Sequence, residues 1–374
     1  MRWLLAWTTA LGLAACGASC GSSPPAPSAQ TTPEGRVRHV RDLAQPRCGP
    51  ATDEPPDPAT AQPSEPGGPS EPGAPTPTTS PPGEPVATPE PSPGGDATDA
   101  PPAMGGPTDP RRFVPRIDAA TKTRLRQVLA QGARAGLRSD VFSKVGDSIS
   151  ESWSFGRDLG MGWVEWGRWG FLRPTLERFR RVVLARDGND ALNAFSVQSL
   201  AATAGWEASD AVTPSPDRGG RTPIVAEVAR TRGAFAIVMF GTNDLERRSD
   251  AHFGASLRRV VDELARRHVI VVLSTIPPRR DDPRRGAQVG PFNAQVRAVA
   301  QATGVLLTDY HGAIARLPNQ GMSDDGVHPS TFRNDSAGVL TDEGLRHGYN
   351  VRNLLWLLTL EKLTRIVVED GAPD

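Results

Sequence analysis

Four stretches of this 374-residue chain combine reactive side chains with backbone signals that would expose them. The first, residues 141–148, reads Val-Phe-Ser-Lys-Val-Gly-Asp-Ser, an apolar, β-branched run that breaks at Gly146-Asp147-Ser148. A buried strand delivers a hydroxyl to the rim of a sheet in this way, with Gly146 allowing a sharp turn. Ser148 is therefore expected at a strand's carboxyl end, the edge where open α/β sheets collect ligands. The second, 199–206, is a run of small residues around Gly205 through which backbone can approach a ligand closely. In the third, the apolar run 234–240 exits into Gly241-Thr242-Asn243-Asp244. The fourth is Ser323-Asp324-Asp325-Gly326-Val327-His328-Pro329. Asp325 and His328, three residues apart with Gly326 between them, can share one short loop and hydrogen-bond directly. A hydrolytic serine needs such a pair: a base to take its proton, and a carboxylate to hold the base's tautomer.

In their order along the chain these four blocks resemble those of the SGNH/GDSL hydrolase superfamily: Gly146-Asp147-Ser148, Gly205, Gly241-Thr242-Asn243-Asp244 and Asp325-Gly326-Val327-His328. The resemblance covers the region after Arg111. It implies a three-layer α/β/α, flavodoxin-like fold and a serine ester hydrolase that forms an acyl-enzyme. It implies Ser148 as nucleophile, His328 as general base and Asp325 as the carboxylate orienting it. It further implies an oxyanion hole built from the Ser148 and Gly205 backbone N–H groups and the Asn243 side chain. No metal and no organic cofactor are called for.

Gly188 and Gly219 compete with Gly205 but follow no apolar run into a strand exit, and Asp324 competes with Asp325 but lacks the three-residue spacing. Asp147 and Asp244 read as side chains that fix their own turns. His311, behind Asp309 and Tyr310 at another strand exit, is either a pocket residue or an ordinary surface histidine.

The elements that must position these groups follow from periodicity. A helix is expected over 117–132, capped by Asp118, then the strand that ends at Ser148. Residues 151–173 carry Trp153, Trp163, Trp166 and Trp169 among several glycines and read as an irregular excursion near the catalytic rim. Its tryptophans either stack on sugar rings or fill a satellite core beneath the loop. A second strand is expected over 192–197 and a helix over 224–230. The run 234–240, apolar throughout and too short for a helix, reads as a central parallel strand. Asp250 is expected to cap a helix whose apolar stripe is Phe253, Leu257, Val260, Val261 and Leu264. Strands over 269–273 and 305–308 flank a helix around Phe292, Val296 and Val299, and a helix over 351–363 closes the chain. This alternation implies a parallel sheet covered on both faces.

The remainder is organised differently. Of 37 prolines, 25 lie in residues 21–110, among Ser, Thr, Gly and Ala and almost no large apolar residues. Such a stretch cannot bury enough apolar surface to offset its ordering entropy, so 16–110 reads as a disordered tether and 111–374 as one hydrolase domain. At the start, Arg2 precedes an apolar run over 3–15, too short for a stable membrane span but suited to a secretory signal. The run ends in Leu13-Ala14-Ala15-Cys16, which resembles the bacterial lipobox. Residues 1–15 are then a lipoprotein signal peptide and Cys16 the lipidated residue, against an ordinary signal peptide with an incidental cysteine. The expected location is a bacterial envelope membrane surface. Cys20 and Cys48 fall in the tether and show no metal-ligand spacing.

From Arg111 onward, 37 basic residues stand against 30 acidic ones, too even a balance to argue for nucleic acid as a partner. Envelope location and the Trp-rich excursion point to O-acyl, especially acetyl, esters of envelope or extracellular glycans as substrate. Acyl transfer on the same triad and a non-catalytic, glycan-binding surface protein are the competing readings.

Overall fold

The computed structural model describes residues 109–374. The signal segment 1–15, Cys16, Cys20, Cys48 and the tether up to residue 108 lie outside the described residues.

Among the described residues six strands form two sheets. β1 (Arg138–Gly146), β4 (Gly233–Met239), β5 (Ile270–Ser274) and β6 (Leu306–Thr308) make one parallel sheet in the order β1-β4-β5-β6. β2 (Ala185–Asp187) and β3 (Asp190–Leu192) pair as a separate antiparallel hairpin. On the free side of β1, Gly146 makes a single parallel bridge to Ala202. That bridge takes the place of the second strand in a flavodoxin-like 2-1-3-4-5 order.

β4 is buried at every residue, as an apolar run between two parallel neighbours should be. Helices flank the sheet. Phe142 on β1 meets Phe179 of the helix Arg173–Arg180 and Trp356 of the helix Gly348–Lys362, with centroids 5.9 and 5.2 Å apart. The stripe Phe253, Leu257, Val260, Val261 and Leu264 of the helix Asp250–Ala265 is buried, and Phe253 stacks on Phe292 of the helix Pro283–Thr303 at 5.0 Å. The helix expected over 117–132 runs Ala119–Arg134, and Asp118 caps it by accepting from the Thr121 N–H at 2.8 Å.

Three expectations need correction. The strand over 192–197 does not form: after Leu192 the chain turns, because the Asn193 carboxamide accepts from the Phe195 N–H and the Ser196 hydroxyl accepts from the Asn193 N–H. These local bonds outcompete an extended ladder. Ser249, not Asp250, caps the helix Asp250–Ala265, accepting from the His252 N–H at 3.2 Å. The closing helix, expected over 351–363 as a cover for one face of the sheet, is instead buried on all its sides over most of its length. Every residue from Gly348 to Leu360 is buried, including Asn350, Arg352 and Asn353.

Those three polar residues tie the helix to the loops around it. Asn350 donates to the carbonyls of Ser336 and Val339, and Asn353 to those of Ser154 and Ala337. Arg352 donates to the Ile149 carbonyl at 2.5 Å and the Ser150 hydroxyl at 2.8 Å, and lies 3.8 Å from the Phe155 ring centroid. A buried charge without such partners would be severely unfavourable. Replacing Arg352 with methionine strands the Ile149 carbonyl and the Ser150 hydroxyl. The expected result is a loss of about 3 kcal/mol of stability in denaturant titrations of the full-length protein.

Candidate active site

Ser148 opens the short helix Ser148–Glu151 directly after β1, with Asp147 as its cap. Gly146 is required here by crowding rather than by a turn, since a Cβ would sit 2.5 Å from the Met239 carbonyl oxygen on β4. The Asp147 carboxylate accepts from the Ile149 N–H at 3.0 Å, fixing its own turn as expected. Its other oxygen is buried without a partner, and burial lifts the carboxyl to about 6.

Ser148 and His328 lie 180 residues apart in sequence, yet Ser148 Oγ is 3.0 Å from His328 Nε2. His328 Nδ1 is 2.7 Å from Asp325 Oδ2. Asp325 Oδ1 accepts from the backbone N–H groups of Val327 and His328 and from the Ser323 hydroxyl, so the whole loop is wound around this carboxylate. Partial burial would raise the Asp325 carboxyl, but these donors outweigh it and hold it at about 2. Asp325 therefore presents a charge to the imidazole, and Asp324, exposed, makes no such bond. With Nδ1 protonated toward Asp325, Nε2 is free to accept from the serine hydroxyl.

The other blocks gather around the same rim. The backbone of 201–203 bonds to Gly146, so the loop that follows runs beside Ser148. Gly205, at φ +78°, sits exposed on that loop in a conformation that favours glycine. Neither the Ser148 N–H nor the Gly205 N–H has a protein acceptor among the described residues. Asn243, at the exit of β4, donates from Nδ2 to the Trp206 carbonyl at 2.9 Å, which ties the β4 exit to the Gly205 loop and leaves one N–H over. Asp244 departs from expectation: its carboxylate accepts from the Ala208 N–H at 3.1 Å, holding the neighbouring loop rather than its own turn. Gly188 lies in the β2–β3 turn and Gly219 ends a short 3-10 turn, Pro216–Arg218. His311 is half-buried, and its backbone N–H donates to the Thr275 hydroxyl.

Arg279, which no motif marks, joins two of the blocks. Its side chain is 1% exposed. Nη1 donates to the Thr242 carbonyl at 2.7 Å, beside Asn243, and Nη2 to Glu246 at 2.8 Å. Nε and Nη2 grip Asp281 from both sides at 2.8 Å, and this, with Arg285, holds that carboxyl well below its ordinary range. The next residue, Arg280, donates its N–H to the Gly326 carbonyl at 2.8 Å inside the Asp325–His328 loop. Gly326, at φ +69°, admits this contact because it has no Cβ, which would lie 2.5 Å from the Asp281 nitrogen. Arg279 through its side chain and Arg280 through its backbone thus tie the exit of β4 to the loop that carries His328. Among the described residues no cluster of His, Cys, Asp or Glu could hold a metal ion, and no helix is long and apolar enough to cross a membrane.

Two outcomes follow from this geometry. Replacing Arg279 with methionine should lower kcat by about 100-fold with KM changed by no more than about twofold, because Asn243 and His328 would shift relative to each other; lysine should recover part of the loss. Burial lifts the Asp244 carboxyl from 3.8 to about 7, so the native state holds a proton that the unfolded chain has released. Asp244's contribution is full below about pH 4 and is lost as pH rises toward 7. In Asp244→Asn, which keeps the acceptor for Ala208, thermal unfolding followed from pH 4 to 7 should show a shallower decline.

No curated protein matches the chain. Among solved structures it is similar to a GDSL-like lipase from Bacteroides thetaiotaomicron, at 14% identity over 64% of this chain and 98% of that one, with a TM-score of 0.36. A psychrotrophic esterase from Pseudoalteromonas sp. is 16% identical over 58% of this chain and 98% of its own, with a TM-score of 0.36. An acetylxylan esterase from Geobacillus stearothermophilus is 16% identical over 59% and 93%, with a TM-score of 0.37. The model of the GDSL-like lipase/acylhydrolase family matches residues 145–331, half of the chain, and encloses Ser148, Gly205, Asn243, Asp325 and His328. A parallel sheet with these blocks at its carboxyl rim, matched over that span, makes this chain a member of the GDSL-like lipase/acylhydrolase family, the serine ester hydrolases of the SGNH/GDSL superfamily.

Proposed function

We propose that Ser148, His328 and Asp325 cleave O-acyl esters, chiefly acetyl esters, of envelope or extracellular glycans through an acyl-enzyme. The observation that carries the catalytic roles is the continuous chain from Ser148 Oγ through both imidazole nitrogens to Asp325, at 3.0 and 2.7 Å. Ser148 Oγ attacks the ester carbonyl as its proton passes to His328 Nε2, and Asp325 stabilises the imidazolium through Nδ1. The negative charge that develops on the carbonyl oxygen is taken by the N–H groups of Ser148 and Gly205 and the free N–H of Asn243. His328 then protonates the departing alcohol. Water, deprotonated by the same imidazole, attacks the acyl carbonyl and releases the acid, returning Ser148.

Hydrolysis is favoured over transfer by the openness of the site. The side chains of His328 and Asp325 are 41% and 49% exposed, so water reaches the base directly, whereas transfer requires its exclusion. The glycan assignment is supported by Trp153 and Trp163, 49% and 48% exposed in the segment behind the nucleophile. Trp169, by contrast, is buried in the core and Trp166 packs against it, so two of the four tryptophans are structural. The same reading places the domain 111–374 on a tether, anchored through Cys16 to an envelope membrane, on the strength of the Leu13-Ala14-Ala15-Cys16 run.

In the full-length protein, p-nitrophenyl acetate should be turned over and Ser148→Ala should abolish turnover without changing the circular dichroism spectrum. Asn243→Ala should lower kcat by about 100-fold or more, the loss of one oxyanion donor. Undiminished hydrolysis in Ser148→Ala would refute the assignment of the nucleophile.

A further inference from the structure

We propose that Trp153, Arg157 and Trp163 form a binding site for the carboxylate-bearing sugar units of an acidic glycan, beside the ester-cleaving centre. This rests on the reading of the protein as a glycan esterase and narrows the class of glycan.

The segment 151–173 is unusual in what it leaves exposed. Of the five large hydrophobic side chains exposed among the described residues, three belong to it: Trp153, Trp163 and Phe171. Arg157 stacks on both indoles, its Cζ 4.9 Å from the Trp153 centroid and 5.6 Å from that of Trp163. These ring contacts hold the planar guanidinium in place, so little side-chain freedom is left to lose when a ligand binds. Arginines elsewhere in the domain are neutralised locally, as Arg180 is by Glu177 and Arg258 by Asp262. The Arg157 side chain has no carboxylate or carbonyl partner among the described residues. The neighbouring acids are engaged elsewhere: Glu151 accepts from the Ala204 N–H, and Asp158 from the N–H groups of Ala337 and Gly338. Further along the segment, Arg173 stacks on Trp166 and Arg168 on Trp169, again without ion pairs among the described residues.

An oriented, unpaired guanidinium flanked by half-exposed indoles matches a uronate. Its carboxylate takes two N–H groups of the guanidinium, and the C–H face of its pyranose lies on the Trp153 indole. A neutral glycan would use the rings and leave the cation unanswered. A lipid surface fits less well. The rings are interleaved with arginines rather than aliphatic side chains, and inserting them would strip water from guanidinium groups that hydrocarbon cannot pair. The site follows the nucleophile closely, since Trp153 lies just beyond the short helix that Ser148 opens.

Calorimetric binding of unacetylated oligogalacturonate to the full-length protein tests this without requiring turnover. Wild type should bind it more tightly than a neutral xylo-oligosaccharide, with an affinity that falls as salt is added. Arg157→Met should weaken oligogalacturonate binding by about tenfold or more and Arg157→Lys by less, with p-nitrophenyl acetate hydrolysis within about twofold of wild type in both. Equal affinity for the two sugars, or unchanged oligogalacturonate binding in Arg157→Met, overturns the proposal. So does binding to phosphatidylglycerol vesicles that depends on Trp153 and Arg157 in place of sugar binding, which would assign this face to a membrane. Oligogalacturonate binding that survives alongside inertness toward every acyl ester would sink the esterase reading and leave the sugar site standing.

Discussion

A hydroxyl and an imidazole 180 residues apart in sequence meet at 3.0 Å, and several buried polar side chains serve that distance. Neither group sits in a regular element long enough to hold it. Ser148 begins a helix of four residues, and His328 lies on a loop wound around the Asp325 carboxylate. Tolerance at such a contact is a fraction of an ångström, so the surroundings must over-determine both sides. Two buried arginines do this. Arg352 reaches from the C-terminal helix to the Ile149 carbonyl and the Ser150 hydroxyl, one and two residues after Ser148. Arg279 binds the Thr242 carbonyl, and the residue after it binds Gly326 in the histidine loop.

Arginine suits this task because one side chain spans several backbone carbonyls in a fixed planar array and does not lose its charge on burial. Lys144 plays a related part beneath β1. It is buried, and burial lowers its amine to about 8, while Nζ donates to the Phe195 carbonyl at 3.1 Å and the Phe155 carbonyl at 3.5 Å. Buried carboxyls answer these cations incompletely. Asp147 and Asp244 are both pushed upward by burial, and Asp147 keeps one oxygen without a partner. The rim around Ser148 thus stores unfavourable burial that the arginine and lysine contacts to backbone carbonyls offset.

What could be read from the residues alone follows from how local the signal is. β4 declared itself because seven apolar residues in a row suit only a strand with neighbours on both sides. Asp325 and His328 declared themselves because their contact is made within one loop. The strand expected over 192–197 failed because Asn193 and Ser196 close a turn that apolar periodicity does not register. The helix cap slipped by one residue, from Asp250 to Ser249, since both types serve as caps and only the backbone conformation separates them. Arg279, Arg352 and the reach of Asp244 to Ala208 were not legible at all. Their partners are backbone groups 36 to 203 residues away, and a backbone carbonyl has no identity in a sequence. The tryptophans of the excursion divided into a buried ring (Trp169), a partly buried one (Trp166) and two exposed ones (Trp153 and Trp163), a sorting that depends on the tertiary position of each ring.

The central claim is that Ser148 alone is activated by the His328–Asp325 pair. The most direct measurement is site mapping by mass spectrometry after treating the full-length protein with a fluorophosphonate, which is captured only by an activated serine. The account predicts a single phosphonylated serine, Ser148, with labelling slowed by orders of magnitude in His328→Ala. An adduct on another serine, or labelling of Ser148 at the same rate without His328, would contradict it.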